Sequence, residues 1–143
     1  MATNPQLLLL AASAQALLTI AVLLVLGARR RTAYKAGKVG KEAMLNDRVW
    51  PPYVLQVSNN YKNQFEIPVL FFAAVATALA IQAATVVFVW LAWGFVAARI
   101  VHSVCHCGSN KLPVRFISFF AGVIAVTIMW ALLAAHALST GSI

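Results

Sequence analysis

Four long apolar runs are the feature that most constrains what this chain can fold into. Each approaches or exceeds the length of roughly 20 residues that a helix needs to cross the hydrocarbon core of a bilayer. They predict membrane-spanning helices at residues 6–28, 53–80, 85–107 and 113–138. Only 10% of the residues are charged and 62% are hydrophobic, whereas an ordinary soluble domain has about 25% charged residues. We therefore predict one all-α integral membrane domain over residues 1–143.

The basic residues predict the orientation of these helices. Seven of the eleven Lys and Arg residues fall between Arg29 and Arg48, in the predicted loop 29–52. An excess of Lys and Arg marks cytoplasmic loops, so this loop should face the cytoplasm and both termini should lie on the other side. The net charge of +8 therefore indicates topology, and nucleic-acid binding is not expected. The first apolar run ends in three arginines and is expected to stay as a helix rather than to be cleaved as a signal peptide.

The remaining connections are short and contain turn residues. The second and third runs are joined by "IQAAT", and Gly108 and Pro113 bracket the connection to the fourth run. Gly permits tight turns and Pro favours a helix N-terminus. Short connections make neighbouring helices antiparallel, which predicts an up-and-down four-helix bundle.

The second run begins with a polar stretch, "SNNYKNQFEIPVLFF", at residues 58–72. At 100° per residue, its polar side chains share an arc of about 120° with Gln64 on one flank. The members of this stripe are Gln56, Asn59, Asn60, Asn63 and Glu66. Unpaired amides in hydrocarbon cost several kcal/mol. The stripe could join helices by hydrogen bonds, line a polar cavity, or emerge among lipid headgroups, and the sequence leaves all three open.

The third run supplies cations and histidines that could face this stripe. Arg99, His102 and His106 have the spacing i, i+3 and i+7, which places them on one helix face. Glu66 is the only acidic residue within a predicted span, and buried charges in membranes are generally paired. We therefore predict that Glu66 faces Arg99, within a protomer or across an interface.

Arg30 and Arg115 should approach the same membrane face from the first and fourth helices. With Arg99 and amide donors from Asn60 and Asn63, they would suit a small anionic ligand, because Arg binds carboxylates through two parallel hydrogen bonds. The alternative is that these arginines contact lipid phosphates.

The sequence "HSVCHC" at residues 102–107 contains two histidines and two cysteines, which are common zinc and copper ligands. If the helix continues through this segment, the cysteines lie on different faces from each other and from His102. We therefore predict no metal site.

These residues resemble a known family, the MAPEG proteins, the membrane-associated proteins in eicosanoid and glutathione metabolism. The resemblance covers nearly the whole chain. It is strongest in "ARIVHSVCHCGSNKLPVRFISFF", which is similar to the family's Arg-x-x-His followed by Gly, Pro and Arg. The stretch "NNYKNQFEIPVLFF" looks like the version in bacterial members, which implies a bacterial inner membrane.

The resemblance implies a homotrimer that binds glutathione between protomers at the cytoplasmic side. There the glutathione thiolate would attack a hydrophobic electrophile or a lipid peroxide. The positions carried over by resemblance are Arg30, Asn60, Gln64, Arg99, His102 and Arg115. Arg115 and His106 are the expected catalytic residues. Asn63 and Glu66 join the others as expected glutathione-binding residues.

The chain also departs from its relatives. The glutathione-binding members carry basic residues where this chain has Val57 and Asn60, and a Glu where it has Gln64. The prostaglandin synthase of the family has Tyr at the position of His106 and Ser at that of Phe116, which disfavours prostaglandin synthesis. The alternative to an enzyme is a non-catalytic trimer that binds lipid or another small anion in the same cleft.

Overall fold

The architecture is an all-α bundle of four membrane-length spans. The structure, a computed structural model, describes residues 5–140, and this part of the chain contains no strand. All four spans are apolar and long enough to cross a membrane. This confirms the predicted fold class. The helices are α1 Pro5–Lys35, α2 Pro52–Lys62, α3 Ile67–Ala80, α4 Val86–Cys107 and α5 Leu112–Thr140, with 3₁₀ turns at Lys41–Met44, Asp47–Val49 and Asn63–Phe65.

The first helix is longer than its apolar run. It continues to Lys35, so the first seven residues of the predicted loop 29–52 are helical. Gly37, at φ +64°, ends it, and the N–H of Lys38 donates to the Ala33 carbonyl across the turn. We call the end of the bundle that carries this segment and the turn between α4 and α5 the basic end.

The second span is interrupted where the sequence analysis treated it as one helix over 53–80. Pro68 has no N–H to donate to the Gln64 carbonyl, and α2 gives way to a 3₁₀ turn at Asn63–Phe65 before α3 begins at Ile67. The interruption leaves the Asn63 carbonyl to accept a hydrogen bond from Arg99 Nη2 at 2.9 Å. The break thus gives the third span a polar contact with the second at the depth of Arg99.

The apolar core lies between α1, α3, α4 and α5, on the side of the break away from the basic end. Phe71 and Phe95 stack at its centre with ring centroids 4.3 Å apart. Fully buried alanines on three helices, Ala11, Ala74 and Ala92, surround them. Small residues at such positions let membrane helices approach closely. This rigid half positions the polar half of the bundle.

Candidate functional site

Arg115 and two histidines form a closed hydrogen-bonded ring where α4 meets α5. Arg115 Nη1 lies 3.3 Å from His106 Nε2, and His106 Nδ1 lies 3.4 Å from His102 Nε2. His102 Nδ1 lies 3.0 Å from the Arg115 carbonyl oxygen. We refer to this arrangement as the Arg–His ring. It brings together three of the residues that the sequence predicted for the site.

The donors and acceptors of the Arg–His ring can be assigned, because its two ends are chemically fixed. The Arg115 carbonyl can only accept and its guanidinium can only donate. His102 Nδ1 therefore donates to the carbonyl, His106 Nδ1 donates to His102 Nε2, and His106 Nε2 accepts from the guanidinium. Each imidazole then carries one proton. The arrangement holds the Arg115 side chain against α4.

Asn110 also holds Arg115, and the sequence analysis missed it. Its Oδ1 accepts from Arg115 Nη1 at 2.9 Å. Asn110 has a left-handed φ of +51° in the turn between α4 and α5, and its N–H donates to the Cys105 carbonyl at 2.7 Å. Asn tolerates this conformation better than most residues. An Asn in a turn two residues after Gly108 was the signal available in the sequence.

A cavity of about 280 Å³ lies beside the Arg–His ring. One side of it is polar and the other is largely aromatic. Its lining residues are Asn63, Glu66, His102, Leu112, Arg115, Phe116, Phe119 and Phe120. Among the described residues, Arg115 uses only Nη1 for protein hydrogen bonds, so Nε and Nη2 remain for a ligand. We call this space the Arg115 cavity.

Arg99 lies behind the cavity and is only 1% exposed. Its Nε and Nη1 have no hydrogen-bond partner in the described part of the chain. It forms no ion pair with Glu66 among those residues, but the Glu66 carboxylate lies close enough for its charge to act on Arg99, so the two residues face each other within the protomer without direct contact. The helix break explains this outcome, because the freed Asn63 carbonyl takes Arg99 while Glu66 lines the cavity. Contact across an interface stays a prediction.

Asn63 forms hydrogen bonds with both Glu66 and Arg99. With its amide oriented so that the nitrogen donates, it bonds Glu66 Oε2 at 3.2 Å. Its carbonyl meanwhile accepts from Arg99. Asn63 therefore holds an anion and a cation at the edge of the same cavity.

Two of the predicted binding residues are instead engaged inside the protein. Asn60 and Gln64 are buried, and neither lines the Arg115 cavity. Gln64 accepts from Gln15 Nε2 at 3.1 Å and donates to Ser103 Oγ at 3.0 Å. This buried network joins α1, the 3₁₀ turn and α4. Within the protomer, Asn60 and Gln64 of the polar stripe therefore join helices by hydrogen bonds.

Arg30 lies apart from the Arg115 cavity. Its Nη2 pairs with Asp47 Oδ1 at 3.0 Å, and its guanidinium carbon sits 5.2 Å from the centre of the Trp50 ring. It lines a different cavity, formed with the segment between α1 and α2. Within one protomer, Arg30 and Arg115 therefore do not share a binding space.

Arg29, which the sequence did not single out, joins three helices at the basic end. Its two terminal nitrogens donate to the carbonyls of Tyr53 and Cys107, both at 2.7 Å. The sequence showed Arg29 only as one of three adjacent arginines, and nothing distinguished it from its neighbours.

No group of three or more potential metal ligands occurs among the described residues.

Comparison with known proteins gives one result. A family model described as the MAPEG family matches residues 7–135, a range that includes the Arg–His ring, the helix break and every residue predicted for the site. No curated protein and no solved structure gives a significant match.

Proposed function

Because the chain belongs to the MAPEG family, we propose that it is a membrane-bound glutathione transferase or peroxidase. The family includes glutathione transferases and related enzymes, and the four apolar spans make this member an integral multi-pass membrane protein. In this proposal the Arg115 cavity binds glutathione and promotes formation of its thiolate. The charge distribution supports an orientation with the basic end in the cytoplasm and both termini on the other side, and the bacterial inner membrane is proposed from the resemblance to bacterial members of the family.

The observation that carries the proposal is the placement of Arg115. Its guanidinium is fixed through Nη1 by Asn110 and His106 and lines the cavity with Nε and Nη2 unengaged by the described residues. A thiolate, not a thiol, is the nucleophile, and a nearby cation favours the thiolate. A cation held in advance stabilises the charge without reorganisation during the reaction.

The two sides of the cavity suit the two substrates. Glu66 is available for the α-ammonium group of glutathione, and Arg115 for its thiolate or a carboxylate. Phe116 and Phe120 are exposed toward the outside of the bundle, where a hydrophobic substrate would arrive from the bilayer. The thiolate sulfur would bond to an electrophilic carbon as the leaving group departs with its electron pair. With a lipid peroxide, two glutathiones would give the alcohol, water and glutathione disulfide.

We further propose that the complete site forms between protomers of a homotrimer. Arg30 does not line the Arg115 cavity of its own protomer and pairs with Asp47 in a separate cavity; in this proposal it exchanges that half-exposed ion pair for a carboxylate of glutathione bound to the adjacent protomer. Arg30 of a neighbouring protomer would supply the second cation for the two glutathione carboxylates. Arg99, His102 and Asn63 would support the pocket from behind. Asn60 and Gln64 would act indirectly, by fixing α2 against α4.

The test is the transferase activity of purified protein with glutathione and a generic aryl halide, and its peroxidase activity with a lipid hydroperoxide. Arg115→Ala should abolish activity above background, whereas Arg115→Lys should retain part of it because the charge remains. Lys111→Gln, which removes a cation from the adjacent turn, is the matched control and should behave like the wild type. Equal background rates in all four proteins would refute the enzyme and favour the alternative, a non-catalytic trimer that binds lipid or another small anion.

A further inference from the structure

The segment between α1 and α2 exposes two adjacent apolar side chains. Met44 is 86% exposed and Leu45 is 96% exposed, at the end of the 3₁₀ turn Lys41–Met44. Neighbouring Ala43 is buried and Asp47 is paired, so the turn is packed onto the protein while these two side chains point away from it. We call residues 36–51 the basic loop.

Cations surround this apolar pair. Lys35, Lys38, Lys41 and Arg48 are all exposed, and none of them forms an ion pair with a described residue. The loop also contains two acidic residues. Asp47 is held between Arg30 and Lys62 at 3.0 Å from each, and Glu42 accepts from the N–H of Gly40 and keeps its negative charge. The four exposed cations outnumber this one unpaired carboxylate, so the surface combines a net positive charge with an apolar tip.

A cavity of about 480 Å³ lies behind Met44. Its lining includes Arg30, Tyr34, Lys41 and Trp50, together with Asp47, whose carboxylate is paired with Arg30 and Lys62. The cavity thus has donors and an aromatic wall next to an exposed apolar side chain. A phosphate group with an attached acyl chain has the matching chemistry, an anion joined to an apolar tail.

The helices place the basic loop at the level of lipid headgroups. The 31 residues of α1 span about 46 Å at 1.5 Å per residue, longer than a hydrocarbon core of about 30 Å. Arg29 Nη1 bonds the Tyr53 carbonyl, so α2 begins level with Arg29, and the last six residues of α1, about 9 Å at 1.5 Å per residue, carry the loop beyond that depth. Tyr53, Tyr34 and Trp50 lie near this depth, where aromatic residues are enriched in membrane proteins.

We propose that the basic loop binds the headgroup of an anionic phospholipid. The phosphate lies in the cavity near Lys41 and Trp50, and Met44 and Leu45 enter the boundary between headgroups and acyl chains. Peripheral segments bind anionic membranes through basic residues that lie next to inserted apolar side chains. Lys41, Met44, Leu45 and Trp50 do not line the Arg115 cavity, so lipid binding is measured without glutathione, and Arg30, which lines the loop cavity and is proposed for the glutathione site, is left unchanged in the test.

The test places a polarity-sensitive fluorophore at Leu45→Cys in a Cys105→Ser/Cys107→Ser parent. The protein is reconstituted in nanodiscs of phosphatidylcholine alone or mixed with phosphatidylglycerol. We expect a blue-shifted emission, and quenching by spin-labelled lipid, that are several-fold larger with phosphatidylglycerol. Lys38→Gln/Lys41→Gln should remove that difference. Lys111→Gln, a cation outside the loop at the same end, should leave it unchanged.

Three outcomes would overturn the proposal. The first is the same emission in both lipid compositions. The second is an equal blue shift in detergent without phospholipid, which would mean that the apolar surroundings of Leu45 do not depend on an anionic headgroup. The third is a shift on adding inorganic phosphate to phosphatidylcholine discs, which would assign the cavity to a soluble anion.

Discussion

Asn110 gives the sharpest prediction about how the site is built. Asn110→Gly removes the side-chain oxygen that accepts from Arg115 Nη1 at 2.9 Å but keeps a residue suited to the left-handed φ of +51°. Asn110→Asp keeps an acceptor at the same place, and Asp also tolerates this conformation. The pair therefore separates the hydrogen bond from the conformation of the turn.

The size of the effect follows from the exposure of this contact. Hydrogen bonds to charged groups contribute about 1.5–3 kcal/mol. Asn110 is exposed, so water partly replaces its oxygen, and we expect a loss of about 1 kcal/mol in the positioning of Arg115. Since each 1.4 kcal/mol is tenfold, kcat/KM for glutathione should fall about fivefold in Asn110→Gly. Asn110→Asp should keep Arg115 in place and lose less activity than Asn110→Gly, although its carboxylate offsets part of the positive charge near the thiolate.

The assay is steady-state transferase kinetics at varied glutathione, with the thermal unfolding midpoint of each variant as a check on folding. Lys111→Gln is the control for loss of a polar group from the same turn. An Asn110→Gly variant with wild-type kcat/KM would refute the positioning role. Equal losses in the Gly and Asp variants would assign the effect to the turn rather than to the hydrogen bond.

Three other changes test separate parts of the account. Glu66→Gln should weaken glutathione binding, because the α-ammonium group of glutathione loses its anionic partner. Calorimetry should then show equal affinities of the variant for glutathione and for an analogue without the α-amino group. Gln64→Leu should lower the free energy of unfolding by about 1–3 kcal/mol, because it leaves buried Gln15 and Ser103 groups unpaired; the Gln15→Leu/Gln64→Leu double variant should recover part of that loss in thermal unfolding. Arg29→Ala should lower the unfolding midpoint more than Arg31→Ala, because only Arg29 bonds the carbonyls of α2 and α4.

The fold was largely predictable because the local apolar composition of a segment determines whether it can lie in the bilayer. A long apolar run in a bilayer must be a helix to satisfy its own backbone, so the four spans could be predicted without tertiary information. The helix break at Asn63–Phe65 was less accessible. Pro68 signalled it, because its missing N–H leaves the Gln64 carbonyl without a helical partner. The contact from Arg99 of another span to the neighbouring Asn63 carbonyl has no local signal in the sequence.

The site was predictable in part because the spacing of residues along a helix determines which of them share a face. His102, His106 and Arg115 come together as helix periodicity and a short turn dictate. Glu66 and Arg99 face each other, as predicted, but they form no ion pair in the protomer, where Arg99 Nη2 instead donates to the Asn63 carbonyl. The engagement of Gln64 with Gln15 depends on packing between distant segments. Spacing along a single helix carries no information about such contacts.

The most direct test of the central claim is the ultraviolet absorbance of glutathione thiolate bound to the purified protein near neutral pH. A cation about 4 Å from the sulfur contributes at most about 4 kcal/mol at an effective dielectric constant near 20, which corresponds to roughly three pKa units of the bound thiol. The account predicts a stoichiometric thiolate signal in the wild type and its loss in Arg115→Ala, with Lys111→Gln unchanged. The same thiolate signal in Arg115→Ala, or no glutathione binding by folded wild-type protein, would contradict it.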